Sequence, residues 1–335
     1  MTDSGKTEEK PTERKLITRR RVLFAGGTLV GAGALAAGGF LAYDRALRFG
    51  RDPGSAIADH RVQLPPALPP MAIARGTDPA VCAHAAIEKV GGMRRFVGRD
   101  DVVVIKPNIG WERTAAQAAN TNPLVVAQVV RECREAGARR VIVSDCPVAE
   151  ARGAFEKSGI LAAARDAGAQ VILPEESEYR SVKISDRLGT WDVLDPFVIA
   201  TKLINVPVAK HHSLTGATAG MKNWIGITGK LRIMFHDEIQ RSIAELAALM
   251  RPTLTVVDAS RVMMETGPQG GSLSVVKNVG AVAAGVDPLA LDAWAFSLFG
   301  VGPDTLPESL LIGERMGLGN PDYEALSPVE IITDA

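Results

Sequence analysis

The sequence predicts an α/β protein with a mostly parallel sheet, helices on both faces of that sheet, and a small antiparallel excursion. From residue 71 onward, short apolar runs alternate with helical patterns, and the connections between them are short. The run DVVVIK at 101–106 is rich in β-branched residues, as expected for a parallel strand buried on both faces. The chain has 335 residues, 46% of them hydrophobic, which is enough for a large core.

Residues 1–49 are predicted to be an export signal or a membrane anchor. The segment TRRRVL at 18–23 resembles the twin-arginine signal, and residues 22–43 carry no charge. An uncharged run of that length can also cross a bilayer, whose apolar core is about 30 Å thick. We favour export by the twin-arginine machinery, because the run is rich in glycine and Ala34-Leu35-Ala36 is a small-residue cleavage pattern. The protein would then work on the periplasmic or extracytoplasmic side of the cytoplasmic membrane.

A proline-rich linker is predicted at 50–70 and an α/β domain at 71–335. Three helices of that domain begin with a capping side chain followed by proline, at Asp78-Pro79, Asn122-Pro123 and Asp287-Pro288. Predicted strands lie at 71–74, 101–106, 140–144, 170–173, 203–206, 253–257 and 279–284. Predicted helices begin at 78 and cover 122–136, 151–167, 237–250 and 287–298, and the antiparallel excursion lies at 181–193.

Composition excludes several classes of partner and cofactor. The 38 basic and 38 acidic side chains balance, so no overall field favours nucleic acid. Cys82, Cys133 and Cys146 form no C-x-x-C pair, which argues against a self-contained iron–sulfur cluster. The glycine-rich loop at 266–271 has no Walker lysine, and no G-x-G-x-x-G follows the first strand, so a dinucleotide site is not supported.

Charged or metal-capable side chains follow five of the predicted strands. Because the carboxyl ends of parallel strands meet at one edge of an open sheet, we expect these side chains to converge there. The residues concerned are Lys106, Asn108, Asp145, Lys210, His211, His212, Asp258 and Asp287. Two assignments stay open: Asp145 either joins the site or caps a turn before Pro147, and Asp258 either binds a metal or orients a histidine.

The segment 203–227 carries the strongest signal for a functional site. It begins as a strand, breaks at Pro207, and is predicted to continue into a small-residue helix from Gly216. Because neighbouring side chains of a strand point to opposite sides, at most one of His211 and His212 faces the pocket, and we assign His211. The predicted catalytic residues are His211, Lys106 and Lys210. The predicted substrate-binding residues are Asn108, Asp145, Thr215, Lys222 and Asn223.

A metal site is a further hypothesis from the same pattern. His211, His236 and Asp258 would supply two imidazoles and one carboxylate, a ligand set that first-row divalent metals accept. A divalent metal is therefore one candidate cofactor.

Taken in order, these segments resemble the family called domain of unknown function 362. The matching stretches are VIKPN at 104–108, TNP at 121–123, EAGA at 135–138, VSD at 143–145, NVP at 205–207, KHHSLTG at 210–216, MKNWIG at 221–226, VVDA at 256–259, DP at 287–288 and LDA at 291–293. The family has no settled activity. Many of its members carry an added ferredoxin segment, which this chain lacks, so the resemblance alone does not imply electron transfer. A looser similarity of fold to the amino-terminal domain of nickel-pincer lactate racemases transfers no chemistry.

The sequence therefore favours an exported enzyme that acts on a small anionic substrate at the carboxyl edge of a parallel sheet, with metal assistance as one option. The alternative is a carrier that binds a cofactor or an anion and serves an exported redox complex through a redox partner protein. A membrane-tethered scaffold is the third interpretation. Replacement of Lys106 or His211 by alanine is expected to abolish ligand binding and to leave the thermal midpoint nearly unchanged.

Overall fold

The computed structural model describes residues 54–229 and 232–334, together with Met1. All elements described below belong to one compact unit, residues 52–335. The predicted export signal or anchor therefore lies outside the described residues. Within the described ranges, no helix combines the length and the apolar character needed to cross a membrane.

Twelve strands and nine α-helices form in the described part of the chain. The strands are β1 Met71–Arg75, β2 Val102–Pro107, β3 Arg140–Ser144, β4 Gln170–Ile172, β5 Tyr179–Ser185, β6 Gly189–Leu194, β7 Lys202–Val206, β8 Val208–His212, β9 Gly216–Thr218, β10 Leu254–Met263, β11 Val276–Gly285 and β12 Val329–Ile332. The helices are α1 Pro79–Lys89, α2 Pro123–Glu135, α3 Ala151–Lys157, α4 Ile160–Asp166, α5 Asp195–Ile199, α6 Gly220–Asn223, α7 Ile239–Met250, α8 Pro288–Ser297 and α9 Glu308–Arg315.

The main sheet has ten strands and is mostly parallel, as predicted. Its order is β12-β1-β11-β10-β7-β2-β3-β4, and β8 pairs with both β10 and β9. Strands β7, β2, β3 and β4 are mutually parallel, and β10 is parallel to β7 and β8. Strands β5 and β6 form the predicted antiparallel excursion as a separate sheet. The carboxyl ends of β7, β2 and β3 consequently point to the same edge.

Helices cover both faces of the sheet, because the side chains of each central strand alternate between two cores. Val103 and Ile105 of β2 join a core that contains α1, α2, α3 and α4. Val102 and Val104 join a second core that contains α5, α6, α7, α8 and α9. A run that is apolar on both sides is what a strand in this position requires.

The predicted helix starts at Asp78, Asn122 and Asp287 are confirmed. Each side chain accepts hydrogen bonds from backbone N–H groups of the first turn, which have no partner within the helix. The helix predicted at 151–167 is two helices, α3 and α4. Gly159 separates them with φ of 78°, a left-handed conformation that interrupts helical geometry.

The segment after Pro207 differs from the prediction. Pro207 ends β7, but the chain stays extended as β8, which pairs in parallel with β10. It then turns back as β9, whose Gly216 lies opposite His212. The helix therefore covers only Gly220–Asn223, and a 3-10 turn, Trp224–Ile227, follows it. Gly216, with φ of 74°, ends the turn between β8 and β9 and does not begin a helix.

The described part of the proline-rich segment, 54–70, has no regular structure except an isolated bridge at Ser55. His60 is buried, and its Nδ1 lies 3.2 Å from the carbonyl oxygen of Thr201. The carboxylate of Asp59 contacts the guanidinium of Arg251 at 3.2 Å. This segment thus lies against the domain, while the boundaries predicted at 49 and 70 stay predictions.

Candidate functional site

A cavity of about 310 Å³ lies at the carboxyl ends of β2 and β3, beside β8 and α6. Its walls are partly polar and partly apolar. The residues that line it are Lys106, Asn108, Ile109, Gly110, Trp111, Asp145, Cys146, Val148, Lys210, His212, Ser213, Leu214, Thr218, Lys222, Asn223, Ile225, Gly226, Arg232, His236 and Pro268. The cavity therefore lies at the edge of the sheet where the sequence predicts that the polar side chains converge.

Lys106 and Asp145 form a buried ion pair at the wall of this cavity. Lys106 ends a strand that is buried on both faces, so its side chain is 0% exposed, and Nζ lies 2.7 Å from Asp145 Oδ1. Lys106 Nζ also donates to Asn223 Oδ1 at 3.1 Å and to the carbonyl oxygen of Pro107 at 2.9 Å. The other carboxylate oxygen, Asp145 Oδ2, accepts the backbone N–H of Ile109 at 2.6 Å. Asp145 thus has two roles, because one carboxylate oxygen pairs with Lys106 and the other accepts a backbone N–H of the loop after β2.

Burial and pairing act in opposite directions on these two groups. Burial lowers the pKa of Lys106 and raises the pKa of Asp145, and the attraction between the two charges opposes both shifts. The ammonium uses three hydrogen bonds and the carboxylate accepts backbone donors as well. The ionised pair is therefore the form that the surroundings stabilise.

Two side-chain amides, those of Asn223 and Asn108, connect Lys106 to Lys210. Asn223 Oδ1, which accepts from Lys106, also accepts from Asn108 Nδ2 at 2.9 Å, and Asn108 Oδ1 accepts from Lys210 Nζ at 2.8 Å. Asn223 Nδ2 donates to Asn205 Oδ1 at 2.8 Å. Lys210 Nζ also donates to the carbonyl oxygen of Ala119. Lys210 is held by neutral acceptors, so its positive charge is not cancelled by a bonded carboxylate.

The pKa values of two lysines fall towards neutrality. Burial, together with the nearby charge of Lys222, lowers the pKa of Lys210 to about 7. Burial also lowers the pKa of Lys222 to about 8. Amines in this range exchange protons near pH 7, which is what acid–base chemistry requires.

The histidine that faces the cavity is His212. Side chains of β8 alternate, so Lys210 and His212 point to the cavity while His211 points away from it. His211 Nδ1 instead accepts the backbone N–H of Gly267 at 3.1 Å. His212 Nε2 lies 2.9 Å from Lys222 Nζ, and burial together with that lysine's charge lowers the pKa of His212 to about 3. The assignment to His211 is corrected to His212; the two-residue period from Lys210 was the signal that could have found it.

The proposed metal ligands His211, His236 and Asp258 do not come together. His236 is exposed at the cavity rim, and its Nδ1 lies 3.1 Å from the carbonyl oxygen of Ile233. Asp258 is buried elsewhere, where Oδ2 accepts the backbone N–H of Asn122 at 2.7 Å. Asp258 therefore stabilises the start of α2 and does not line the cavity.

A different set of metal-capable groups lies on α1 and α2. One ligand atom each of His84, Glu88 and Glu132 lies within 4.8 Å of the others, and within the described ranges this is the one group of that kind. Glu132 is buried, and its Oε2 has no hydrogen-bond partner. Such an atom is suited to a cation or a proton. None of the three residues lines the cavity.

Thr215 does not reach the cavity, because its hydroxyl donates to the carbonyl oxygen of Ala217 at 2.8 Å inside the turn. Thr218 lines the cavity instead. Its hydroxyl oxygen is buried and without a hydrogen-bond partner, so it is available to a ligand. The sequence analysis could not assign Thr218 to the cavity, because it did not predict β9 and therefore gave no direction for the side chains of this strand.

Arg232 is a further cavity residue that the sequence analysis did not identify. Its guanidinium donates to the carbonyl oxygens of Cys146 and Pro147, in the loop after β3. Nothing in the local pattern around 232 distinguishes this arginine from a surface residue. Only the fold brings it next to Asp145 and Lys106.

Asp292 positions the helix that carries two of the site residues. Its oxygens accept the backbone N–H groups of Gly220 at 2.6 Å and Met221 at 3.0 Å. These are orphan donors of the first turn of α6. The start of the helix that carries Lys222 and Asn223 is thus held by a side chain of α8.

These observations define an α/β protein with a cationic cavity at the carboxyl ends of parallel strands. The chain belongs to the family described as domain of unknown function (DUF362), whose sequence model matches residues 103–297. The resemblance seen in the sequence is thereby confirmed.

A curated relative is the thylakoid-associated protein sll1697 of Synechocystis sp., which is 28% identical over 261 residues, covering 74% of this chain and 79% of that protein. The lactate racemase apoprotein from Thermoanaerobacterium thermosaccharolyticum matches with a TM-score of 0.40 and 12% identity, over 72% of this chain and 58% of that one. A Thermotoga maritima protein matches with a TM-score of 0.40 and 12% identity, over 68% of this chain and 60% of that one. The chain thus spans less than two thirds of either solved structure.

Proposed function

We propose that this protein is an enzyme that binds a small organic anion in the cationic cavity and moves protons on it. The observation that carries the proposal is the charge of the walls. Lys106, Lys210, Lys222 and Arg232 line the cavity, and Asp145 is the one carboxylate among the lining residues that the structure describes. Because Asp145 is already paired with Lys106, an anion is the ligand that the remaining cations favour.

The cavity also limits the size and character of the ligand. A volume of about 310 Å³ is at the lower end of small-molecule sites. Trp111, Ile109 and Ile225 supply an apolar wall that suits a short carbon skeleton. A carboxylate or phosphate group would lie towards Lys210 and Arg232, and the carbon skeleton would lie against the apolar wall.

The proton chemistry rests on Lys210, whose pKa is near neutrality, at about 7. An anion held beside Lys210 would stabilise its charged form and raise its pKa. Lys210 can therefore take up a proton when the anion binds and return it to the substrate afterwards. The one cluster of metal-capable groups among the described residues, His84, Glu88 and Glu132, lies outside the cavity, so we assign the proton transfer to the cavity's own side chains.

The binding proposal is tested by calorimetric titration with phosphate and with short carboxylates. Lys210→Gln is expected to weaken binding about ten- to hundredfold, since a charge-assisted hydrogen bond is lost. Lys202→Gln is the matched control, because Lys202 lies on β7 and does not line the cavity. Equal affinity of the wild type and Lys210→Gln for every anion would overturn the proposal. A tightly retained organic anion that is never converted would instead support the carrier function.

We propose that the protein is exported or anchored at a membrane by its first 49 residues. The twin-arginine pattern at 18–23 and the uncharged run at 22–43 support this location. The name of the Synechocystis relative, a thylakoid-associated protein, agrees with an association with membranes.

We propose that a divalent metal, when bound, uses His84, Glu88 and Glu132. The unpartnered and buried Glu132 Oε2 supports this assignment. His84 Nδ1 lies 3.0 Å from Glu132 Oε1, a separation compatible with two ligands that share one ion, whose bonds are about 2.0–2.2 Å long. Such an ion would join α1 to α2 and take no part in the chemistry of the cavity.

A further inference from the structure

The hydrogen bonds of His212 determine which of its ring nitrogens carries a proton. The backbone N–H of Leu214 donates to His212 Nδ1 at 3.1 Å, so Nδ1 must present a lone pair. A doubly protonated ring would direct an N–H group at this backbone N–H, and the contact would be repulsive. The ring is therefore neutral and carries its hydrogen on Nε2.

This tautomer decides the state of Lys222. His212 Nε2 lies 2.9 Å from Lys222 Nζ, so the Nε2 hydrogen points at the lysine nitrogen. An ammonium group has three donors and no acceptor, and it would face another donor. A neutral amine has a lone pair and accepts this hydrogen. This contact therefore stabilises the neutral form of Lys222 relative to its ammonium form.

The surroundings of Lys222 also favour the neutral amine. Burial lowers its pKa to about 8, and Asp145, the one carboxylate among the described lining residues, is paired with Lys106. Lys210, nearby, disfavours a second positive charge. A desolvated amine next to other cationic groups is a nucleophile.

We infer that Lys222 forms an imine with the carbonyl carbon of a small anionic carbonyl compound, of the 2-oxo acid class. The inference rests on the proposed function, because the anionic group of the substrate is held by the cations of the same cavity. A phosphate or a simple carboxylate has no carbonyl carbon for the amine to attack, and it would bind without reacting.

The step balances without any oxidant or reductant. The lone pair of Lys222 Nζ attacks the carbonyl carbon, and the carbonyl oxygen is protonated to give a carbinolamine. That oxygen then leaves as water with the two hydrogens of the amine, and a C=N bond to Nζ remains. Lys210 and Arg232 hold the substrate carboxylate, while the unpartnered hydroxyl of Thr218 is available to the carbinolamine oxygen.

The experiment is reductive trapping on the full chain. Glyoxylate, pyruvate, 2-oxobutyrate and 2-oxoglutarate are each incubated with the protein and sodium borohydride, and peptides are analysed by mass spectrometry. The expected adduct is on Lys222, at least about tenfold above that on Lys202, because burial lowers the pKa of Lys222 to about 8 and Lys202 does not line the cavity. Trapping should increase as pH rises through about 8, where Lys222 loses its proton.

Two variants test the role of each partner. Lys222→Arg should abolish the adduct, and Lys202→Arg should leave it unchanged. His212→Asn should move the pH midpoint of trapping upward, since the donor that stabilises the neutral amine is removed. If none of the four compounds labels Lys222, or if labelling is spread evenly over surface lysines, the imine is overturned.

Failure of the imine and failure of the proposed function give different results. Propionate has no reactive carbonyl, so its calorimetric binding reports on the cationic cavity alone. Binding of propionate without trapping of 2-oxo acids would overturn the imine and leave the anion site in place. Absence of both would remove the proposed function as well.

Discussion

The three cavity lysines differ in the group that holds each ammonium nitrogen. Lys106 is paired with a carboxylate, Lys210 with an amide and a backbone carbonyl, and Lys222 with an imidazole. The first arrangement favours a permanent charge, and the other two leave the amine close to its point of proton exchange. Residues of one type, brought together in one cavity, thus have separate chemical roles.

The buried pair of Lys106 and Asp145 is expected to be structural as well as functional. Lys106→Met or Asp145→Asn alone should cost about 3–5 kcal/mol of unfolding free energy, because each leaves an uncompensated buried charge. The double variant should cost less than the sum of the two, by about 0.5–3 kcal/mol. Urea unfolding of all four proteins measures this coupling, and additive losses would contradict it. The unchanged thermal midpoint expected from the sequence for a Lys106 variant is thus replaced by a large loss.

Anion affinity should depend on pH through Lys210. Its pKa is about 7 in the free protein, and a bound anion raises it, so binding is accompanied by proton uptake. Affinity is therefore highest when the amine is already protonated, below pH 7, and it falls as pH rises through the pKa of the complex. Calorimetry in two buffers of different ionisation enthalpy measures the proton uptake. A heat that is independent of the buffer would contradict this coupling.

At the level of elements, the side chains of the site lie on short segments, β8 and α6, and longer elements hold these segments in place. Strand β8 directs Lys210 and His212 to the cavity, and α6 presents Lys222 and Asn223 from the other side. A helix of four residues is too short to be stable alone. Its conformation depends on Asp292, which belongs to the ten-residue α8.

Asp292→Ala is expected to loosen α6. Two backbone donors, those of Gly220 and Met221, lose their acceptor, at a cost of about 1–3 kcal/mol. Hydrogen exchange of 220–227 should accelerate, and anion affinity should fall with it. Asp304→Ala, at an exposed position, is the control. Unchanged exchange in 220–227 would show that α6 is held by packing alone.

A metal bound by α1 and α2 should stabilise the pairing of these two helices. Saturating Zn²⁺ or Mn²⁺ should raise the thermal midpoint by a few degrees, on the order expected for a ligand specific to the folded state. Glu132→Gln should abolish the rise, and Glu135→Gln, an exposed neighbour on α2, should retain it. If Glu132→Gln keeps the response, the ion binds elsewhere.

At the scale of the whole molecule, the described body is one compact unit with the cavity at one edge of its sheet. Strand β12, at 329–332, pairs in parallel with β1 and forms one edge of the sheet. The twin-arginine route transports proteins that are already folded. A domain that folds as one compact unit is a suitable substrate for this export route.

Export is tested with the full chain in a bacterial host. Substituting Arg19→Lys and Arg20→Lys together should leave the protein in the cytoplasm, because the twin-arginine machinery recognises the arginine pair. Arg14→Lys, outside the pattern, is the matched control. Cell fractionation followed by immunodetection locates each variant. Export of the double variant at the wild-type level would contradict the proposal.

The periodicity of apolar residues was sufficient to predict the central strands of the sheet and the helix layers on both faces. The helix starts at Asp78, Asn122 and Asp287 followed from a capping side chain with proline after it. Strands β8, β9 and β12 and helices α5 and α9 were missed. Strand β9 has three residues, and its pairing with β8 depends on a turn at 213–215 whose geometry has no clear pattern in the sequence.

The sequence by itself determined the class of fold and the edge at which the polar residues gather, because parallel strands bring their carboxyl ends together. Only the tertiary structure decided that His212 faces the cavity, that Arg232 joins it, and that Asp258 supports α2. The alternation of side chains along β8 places Lys210 and His212 on one side, but which side faces the cavity depends on the pairing of β8 with β10. Contacts between distant residues depend on the path of the chain.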